Sequence, residues 1–185
     1  MVQSTLPWPP VQAAGNNPCC AAAMLDNAGG QISEMSAIGF YCFHSLAASA
    51  WQEVTDAFRQ ICRDEMRHLE IFSTLAMQLG AEPRLWSPCG SLSSRCRYWT
   101  PAYLTYHTGL DSILAAAMDE EERSRQKYLM QAAWIQDENV CDNLRRIAED
   151  EILHLQILKG LYEKYVPPDE TAGKPVSPVF PPGAS

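Results

Sequence analysis

The chain has 185 residues, enough for one domain with a substantial core. Its 46% hydrophobic and 19% charged residues match an ordinary globular protein rather than a disordered or fibrous one. A net charge of −8 and a pI of about 4.9 exclude the basic footprint of a nucleic-acid binder, and no apolar run has the length of a membrane span.

Proline divides the chain. Pro7, Pro9, Pro10 and Pro18 mark residues 1–18 as a flexible N-terminal segment. The prolines from Pro167 to Pro182 mark 167–185 as a flexible tail. Residues 1–10 lack the basic start and apolar run of a secretory signal, so a cytoplasmic location is expected. The remaining prolines, Pro83, Pro88 and Pro101, fall in one central stretch. Residues 19–166 are therefore predicted to form one domain of long helices interrupted near 81–107.

Four helices are predicted, at about 24–47, 51–80, 108–134 and 139–164. Gly29 and Gly30 weaken the start of the first. In the second, Val54, Phe58, Ile61, Glu65, His68, Phe72, Leu75 and Leu79 alternate by four and three residues. A polar stretch, Gln136 to Asn139, separates the last two helices and offers an N-cap. The fourth repeats the alternation with Val140, Leu144, Ile147, Glu151, His154, Leu158 and Leu161. Such stripes face a bundle core, so a carboxylate and an imidazole stand among apolar residues in each. No strand run stands out.

These two helices also repeat one another. The stretch from Arg59 to Ile71 aligns with Arg145 to Ile157, and Arg, Ile, Asp, Glu, His, Leu and Ile recur in register. Residues three apart lie on one helical face, so each Glu-x-x-His offers a carboxylate and an imidazole to one cation. A buried carboxylate is costly unless its charge is offset, and a divalent cation offsets it. Bundles of this type complete a two-metal site with one Glu from each remaining helix. Glu34 is the first helix's only acidic residue after Asp26. Among Glu120, Glu121 and Glu122, only Glu121 continues the stripe of Leu114, Met118, Tyr128, Ala132 and Ile135. Glu34 stands seven residues before Tyr41, and Glu121 seven before Tyr128. The candidate metal ligands are thus Glu34, Glu65, His68, Glu121, Glu151 and His154. The alternative is a structural ion-pair network. Arg125 either pairs with a site carboxylate or extends outward. His44 and His107 fall outside the pattern.

Seven cysteines without a C-x-x-C pair suit a reducing compartment and exclude zinc-ribbon and rubredoxin signatures. Cys19 and Cys20 read as small apolar residues near a helix start.

Several stretches resemble a known family. Gly29-Gly30-Gln31-x-x-Glu34 with Tyr41 resembles the first helix of manganese catalases, and Glu65-Met66-x-His68-x-Glu70-x-x-Ser73-Thr74 the second. Glu121-x-Arg123-x-Arg125-x-x-Tyr128 resembles their third helix and Asp150-Glu151-x-x-His154 their fourth, where Arg commonly replaces the Asp. Small spore-coat relatives and rubrerythrin-type proteins share the pattern, and Leu79-Gly80-x-x-Pro83 is closer to the rubrerythrin type. The resemblance implies an all-α, ferritin-like four-helix bundle with a long crossover between its second and third helices. It implies two manganese or two non-haem iron ions, with Glu65 and Glu121 bridging and Tyr41 and Tyr128 behind the ligands. Glu151 corresponds to a ligand in rubrerythrins and to a catalytic acid/base in manganese catalases.

The implied activity is an oxidoreductase reaction, hydrogen peroxide disproportionation, with no outside reductant. Peroxidase or ferroxidase chemistry with dioxygen or peroxide and an electron-donor protein is a second reading, and a structural coat protein a third. A homo-oligomer, and the spore coat as a second location, also follow from the resemblance. Residues 81–107 match nothing known.

Overall fold

The computed structural model describes residues 7–87 and 97–166. Cys89, Cys96 and the C-terminal tail over 167–185 lie outside them. Among the described residues five α-helices follow in order: α1 (Pro18–Gly29), α2 (Glu34–Ala47), α3 (Gln52–Gln78), α4 (Leu110–Trp134) and α5 (Glu138–Tyr165). The last four form the bundle, as an α2–α3 hairpin and an α4–α5 hairpin. The fold is the all-α ferritin-like bundle expected.

One predicted helix is in fact two. Over 24–47 the chain forms α1 and α2, broken at 30–33. Pro18 opens α1 early, where its missing N–H costs nothing, and Asn17 caps it. At its other end, Gly29 lies so close to the Leu85 and Trp86 backbone that a Cβ would meet it at 2.7 Å. Ser33 then caps α2 by accepting from the Ser36 amide, and Glu34 follows in the first turn, where the helix dipole favours a carboxylate. Lys127 of α4 locks the break. Its ammonium donates to the carbonyls of Asp26 and Ile32 and pairs with the Asp26 carboxylate at 2.7 Å.

The prolines keep residues 7–17 out of regular structure, and hydrogen bonds join this stretch to the bundle. The Ala13 and Ala14 amides donate to Gln78 and Asp137, the Asn17 amide donates to the Leu79 carbonyl, and Asn143 donates to the Pro10 carbonyl. Trp8 packs on the bundle between Arg67 and Arg146.

Contacts across the bundle show α3 antiparallel to α5 and α2 antiparallel to α4, so α3 and α4 run parallel. The chain must therefore travel back along the bundle between Gln78 and Leu110. Gly80, at φ +94°, turns it out of α3. Two short antiparallel strands, β1 (Trp86–Ser87) and β2 (Arg97–Tyr98), and a 3-10 turn at Pro101–Tyr103 punctuate the return. Periodicity cannot reveal strands of two residues. The crossover is pinned along α2: Trp99 Nε1 donates to Ser36 Oγ at 3.0 Å, Leu104 sits against Gly39, and the His107 amide donates to His44 Nε2 at 3.1 Å. His44 Nδ1 donates to the Phe40 carbonyl, so this buried histidine is fully paired and belongs to the fold.

The core separates into two apolar clusters. One packs α1 and the distal half of α3 against the α4–α5 turn, and the other packs α2 and the start of α3 against the start of α4 and the end of α5. The candidate ligands lie between them.

Candidate metal centre

All six predicted ligands converge. Glu34, Glu65, His68, Glu121, Glu151 and His154 are each at most 3% exposed, which puts four carboxylates where water cannot solvate them. They form two overlapping groups: Glu34, Glu65, His68 and Glu151, and Glu65, Glu121, Glu151 and His154. Within each, one donor atom per residue lies within 4.8 Å of the others. Glu65 and Glu151 belong to both groups, whereas Glu121, the second bridge implied by the resemblance, belongs to one.

The local geometry fits a cation better than a hydrogen-bond network. His154 Nδ1 lies 3.0 Å from Glu121 Oε2, 3.1 Å from Glu151 Oε2 and 3.1 Å from Glu65 Oε1. One N–H cannot serve three carboxylate oxygens. Across the pseudo-symmetric centre, His68 Nδ1 is 3.0 Å from Glu65 Oε2 and 3.7 Å from Glu151 Oε1. Glu65 Oε1 and Glu151 Oε1 are buried without a hydrogen bond. Orphaned carboxylate oxygens aimed at imidazole nitrogens form a hard, oxygen-rich donor set suited to manganese or iron. Two divalent cations would balance the four carboxylates.

Two tyrosines complete the inner arrangement. Tyr128 Oη donates to Glu34 Oε1 at 2.6 Å, and Tyr41 Oη donates to Glu121 Oε1. Burial, and then the carboxylate each one faces, pushes both phenols well above their ordinary range, so they stay protonated donors.

The outer edges of the imidazoles meet residues to which the sequence reading gave no role. His68 Nε2 lies 3.3 Å from Asp150 Oδ2, and His154 Nε2 lies 3.6 Å from Asp64 Oδ2. Each aspartate immediately precedes the Glu of the opposite motif, so the two motifs orient one another's histidines. Arg146 pairs with Asp150 at 2.6 Å. The Asp recurrence in the repeat was the available signal. Nothing in the sequence pointed to Trp8, whose ring lies 6.0 Å from that of His68. A cavity of about 120 Å³ reaches these outer edges, bounded by Trp8, Arg67, Asp64, Asp150 and Arg146.

Without cations the cluster retains protons. Burial pushes the Glu34 and Glu151 carboxyls well up, and the Glu65 charge adds to both. Burial also opposes charge on Glu65, but His68 and His154 overcome it and hold that carboxyl below its usual range. Burial disfavours charged His68, yet Glu65 and Asp150 raise it to about 10. His154 is likewise raised against burial, chiefly by Glu121.

Of the competing acids on α4, only Glu121 points inward. Glu122 is held by Arg125 at 2.7 Å near the surface, so Arg125 extends outward.

Four carboxylates and two imidazoles, drawn from the four helices of such a bundle, define a ferritin-like protein of the di-metal carboxylate class. The rubrerythrin family model matches residues 29–162, and the chain belongs to that family. Among solved structures, the fold is similar to wild-type KatB, a manganese catalase from Anabaena. The TM-score is 0.76 at 22% identity, over 93% of this chain and 88% of that one. A second KatB structure, from Anabaena PCC7120, gives 0.74 at 22% identity with the same coverage. A search of curated proteins finds no match. Among the described residues, no helix is long and apolar enough to cross a membrane.

Proposed function

We propose that this chain is a di-metal oxidoreductase that disproportionates hydrogen peroxide to water and dioxygen. The observation that carries the reading is the convergence of three carboxylate oxygens, Glu65 Oε1 among them, on His154 Nδ1 within 3.1 Å, with Glu151 Oε1 buried nearby without a hydrogen bond. Glu34, Glu65, His68 and Glu151 would hold one ion, and Glu65, Glu121, Glu151 and His154 the other, both manganese or both iron. When bound, such ions supply two one-electron centres, matching the two electrons exchanged with each peroxide.

The chain's own residues do the rest. Burial of the ligands keeps bulk water out of the reaction. Tyr128 and Tyr41 orient Glu34 and Glu121. Asp150 and Asp64 lie at the Nε2 edges, which leaves Nδ1 of each histidine facing inward. Where it does not bind metal, Glu151 is instead the residue suited to carry a proton, because its Oε1 is buried without a hydrogen bond. A homo-oligomer is part of the proposal through the family resemblance.

The test is dioxygen release from hydrogen peroxide by the full chain, loaded separately with manganese and with iron. Release by the manganese form, lost in Glu65→Ala, supports the reading; no release from either form overturns it. Membership of the rubrerythrin family favours one second reading, peroxide reduction or iron oxidation with an external electron donor. That reading predicts turnover only with iron and an added donor, whereas a structural coat role predicts bound metal and no turnover.

A further inference from the structure

Two thiols far apart in sequence meet between α2 and α3. Cys42 Sγ and Cys62 Sγ lie 3.6 Å apart. The α2–α3 hairpin creates this pair, and its members differ in access. Cys42 is exposed, whereas Cys62 is 6% exposed and donates to the Ile38 carbonyl. Burial, with Cys42 beside it, pushes the Cys62 thiol up to about 12. A dissolved oxidant therefore meets Cys42 first, while Cys62 is shielded and already beside it. A disulfide requires sulfurs about 2.05 Å apart, so closure must bring the two sulfurs about 1.5 Å closer.

We propose that Cys42 and Cys62 form a peroxide-reactive dithiol that closes to a disulfide across α2 and α3. In the first step the Cys42 sulfur, as thiolate, attacks one oxygen of hydrogen peroxide. The S–O bond forms and the O–O bond breaks. The departing hydroxide takes the proton Cys42 released, giving water and a sulfenic acid. In the second step the Cys62 sulfur gives up its proton and attacks the Cys42 sulfur. The S–S bond forms, the S–O bond breaks, and hydroxide leaves with that proton as a second water. The two thiols are oxidised by two electrons and one peroxide is reduced to two waters. Cys42 directly follows Tyr41, and Cys62 stands one turn before Glu65, so the bridge would tie the two helices at the level of the metal centre. The chemistry needs no metal and extends beyond the proposed activity.

The test exposes the full, reduced chain to hydrogen peroxide, blocks remaining thiols in denaturant, and examines unreduced peptides by mass spectrometry. The expected result is a linked Cys42–Cys62 peptide pair, two hydrogens lighter than its parts, lost on reduction, from a monomeric band. In Cys62→Ser, Cys42 should instead be trapped as a sulfenic acid by dimedone. Glu65→Ala should still form the bridge, which separates failure of this proposal from failure of the metal-centre reading. Three results would overturn the proposal: wild-type Cys42 oxidised without the link, Cys42 linked to another chain, or both thiols unmodified.

Discussion

Tyr128 reaches across the bundle to donate to Glu34 Oε1 at 2.6 Å, and Tyr41 does the same for Glu121 in the other half. Each half thus supplies the hydroxyl that steadies the other half's carboxylate. Replacing Tyr128 by Phe should leave the bundle folded but free Glu34 to rotate. Loss of such an outer partner typically lowers metal affinity about 10- to 100-fold. Calorimetric titration of the metal-stripped Tyr128→Phe chain with manganese checks this.

Metal stoichiometry should follow the sharing of ligands. Glu34 and Glu121 each belong to one group, and Glu65 to both. Elemental analysis of loaded protein should find two ions per wild-type chain, about one in Glu34→Ala or Glu121→Ala, and less than one in Glu65→Ala. Equal losses in all three variants would contradict the sharing.

The pH dependence of the metal-stripped chain has a definite sign. His68 is raised from its ordinary value to about 10, and Glu34, Glu151 and His154 are raised too. Their stabilising protons are fully held below the unfolded pKa values and lost as pH rises. Between pH 7 and 10 stability should fall by about 1.4 kcal/mol per pH unit for each proton the folded chain alone retains. Thermal melts of stripped protein should show that decline, and manganese should remove most of it while releasing protons.

His44 has the opposite sign. Burial lowers its pKa, and its Nε2 already accepts from the His107 amide. Its contribution is present above the unfolded value near 6.5 and is lost as pH falls through the folded value. As pH falls through that folded value the His107 amide should therefore lose hydrogen-exchange protection before the helix interiors do.

Trp8 lies between the guanidinium groups of Arg67 and Arg146, 4.1 and 4.2 Å from its ring centre. Two such contacts are together worth about 1–2 kcal/mol. Trp8→Ala should lower stability by that order and speed removal of bound metal by a chelator, measured as the stripping half-time. An unchanged half-time would mean that Trp8 does not cover the route to the centre.

Much of the centre was legible before any fold was known. The stripe placed Glu65, His68, Glu151 and His154 on core faces because helical period converts spacing into direction. Glu34 stood out as the first helix's only acid after Asp26 and Glu121 as the acid continuing its stripe, and their shared seven-residue spacing to Tyr41 and Tyr128 agreed. The α1–α2 break was less legible. Gly29 and Gly30 hinted at it, but the deciding contacts come from the crossover and from Lys127, distant in the chain.

By itself the sequence determined the helical bundle, the last three of its long helices, the duplicated Glu-x-x-His motif and the six residues that converge between the helices. These follow from local periodicity and the cost of burying unpaired charge. Only the tertiary structure decided which carboxylates are shared, that Asp64 and Asp150 attend the opposite histidines, that Trp8 folds over His68, and that Cys42 meets Cys62. A residue's period fixes the face of its own helix, whereas its partner depends on how separate helices pack and align, and no spacing within one helix encodes that.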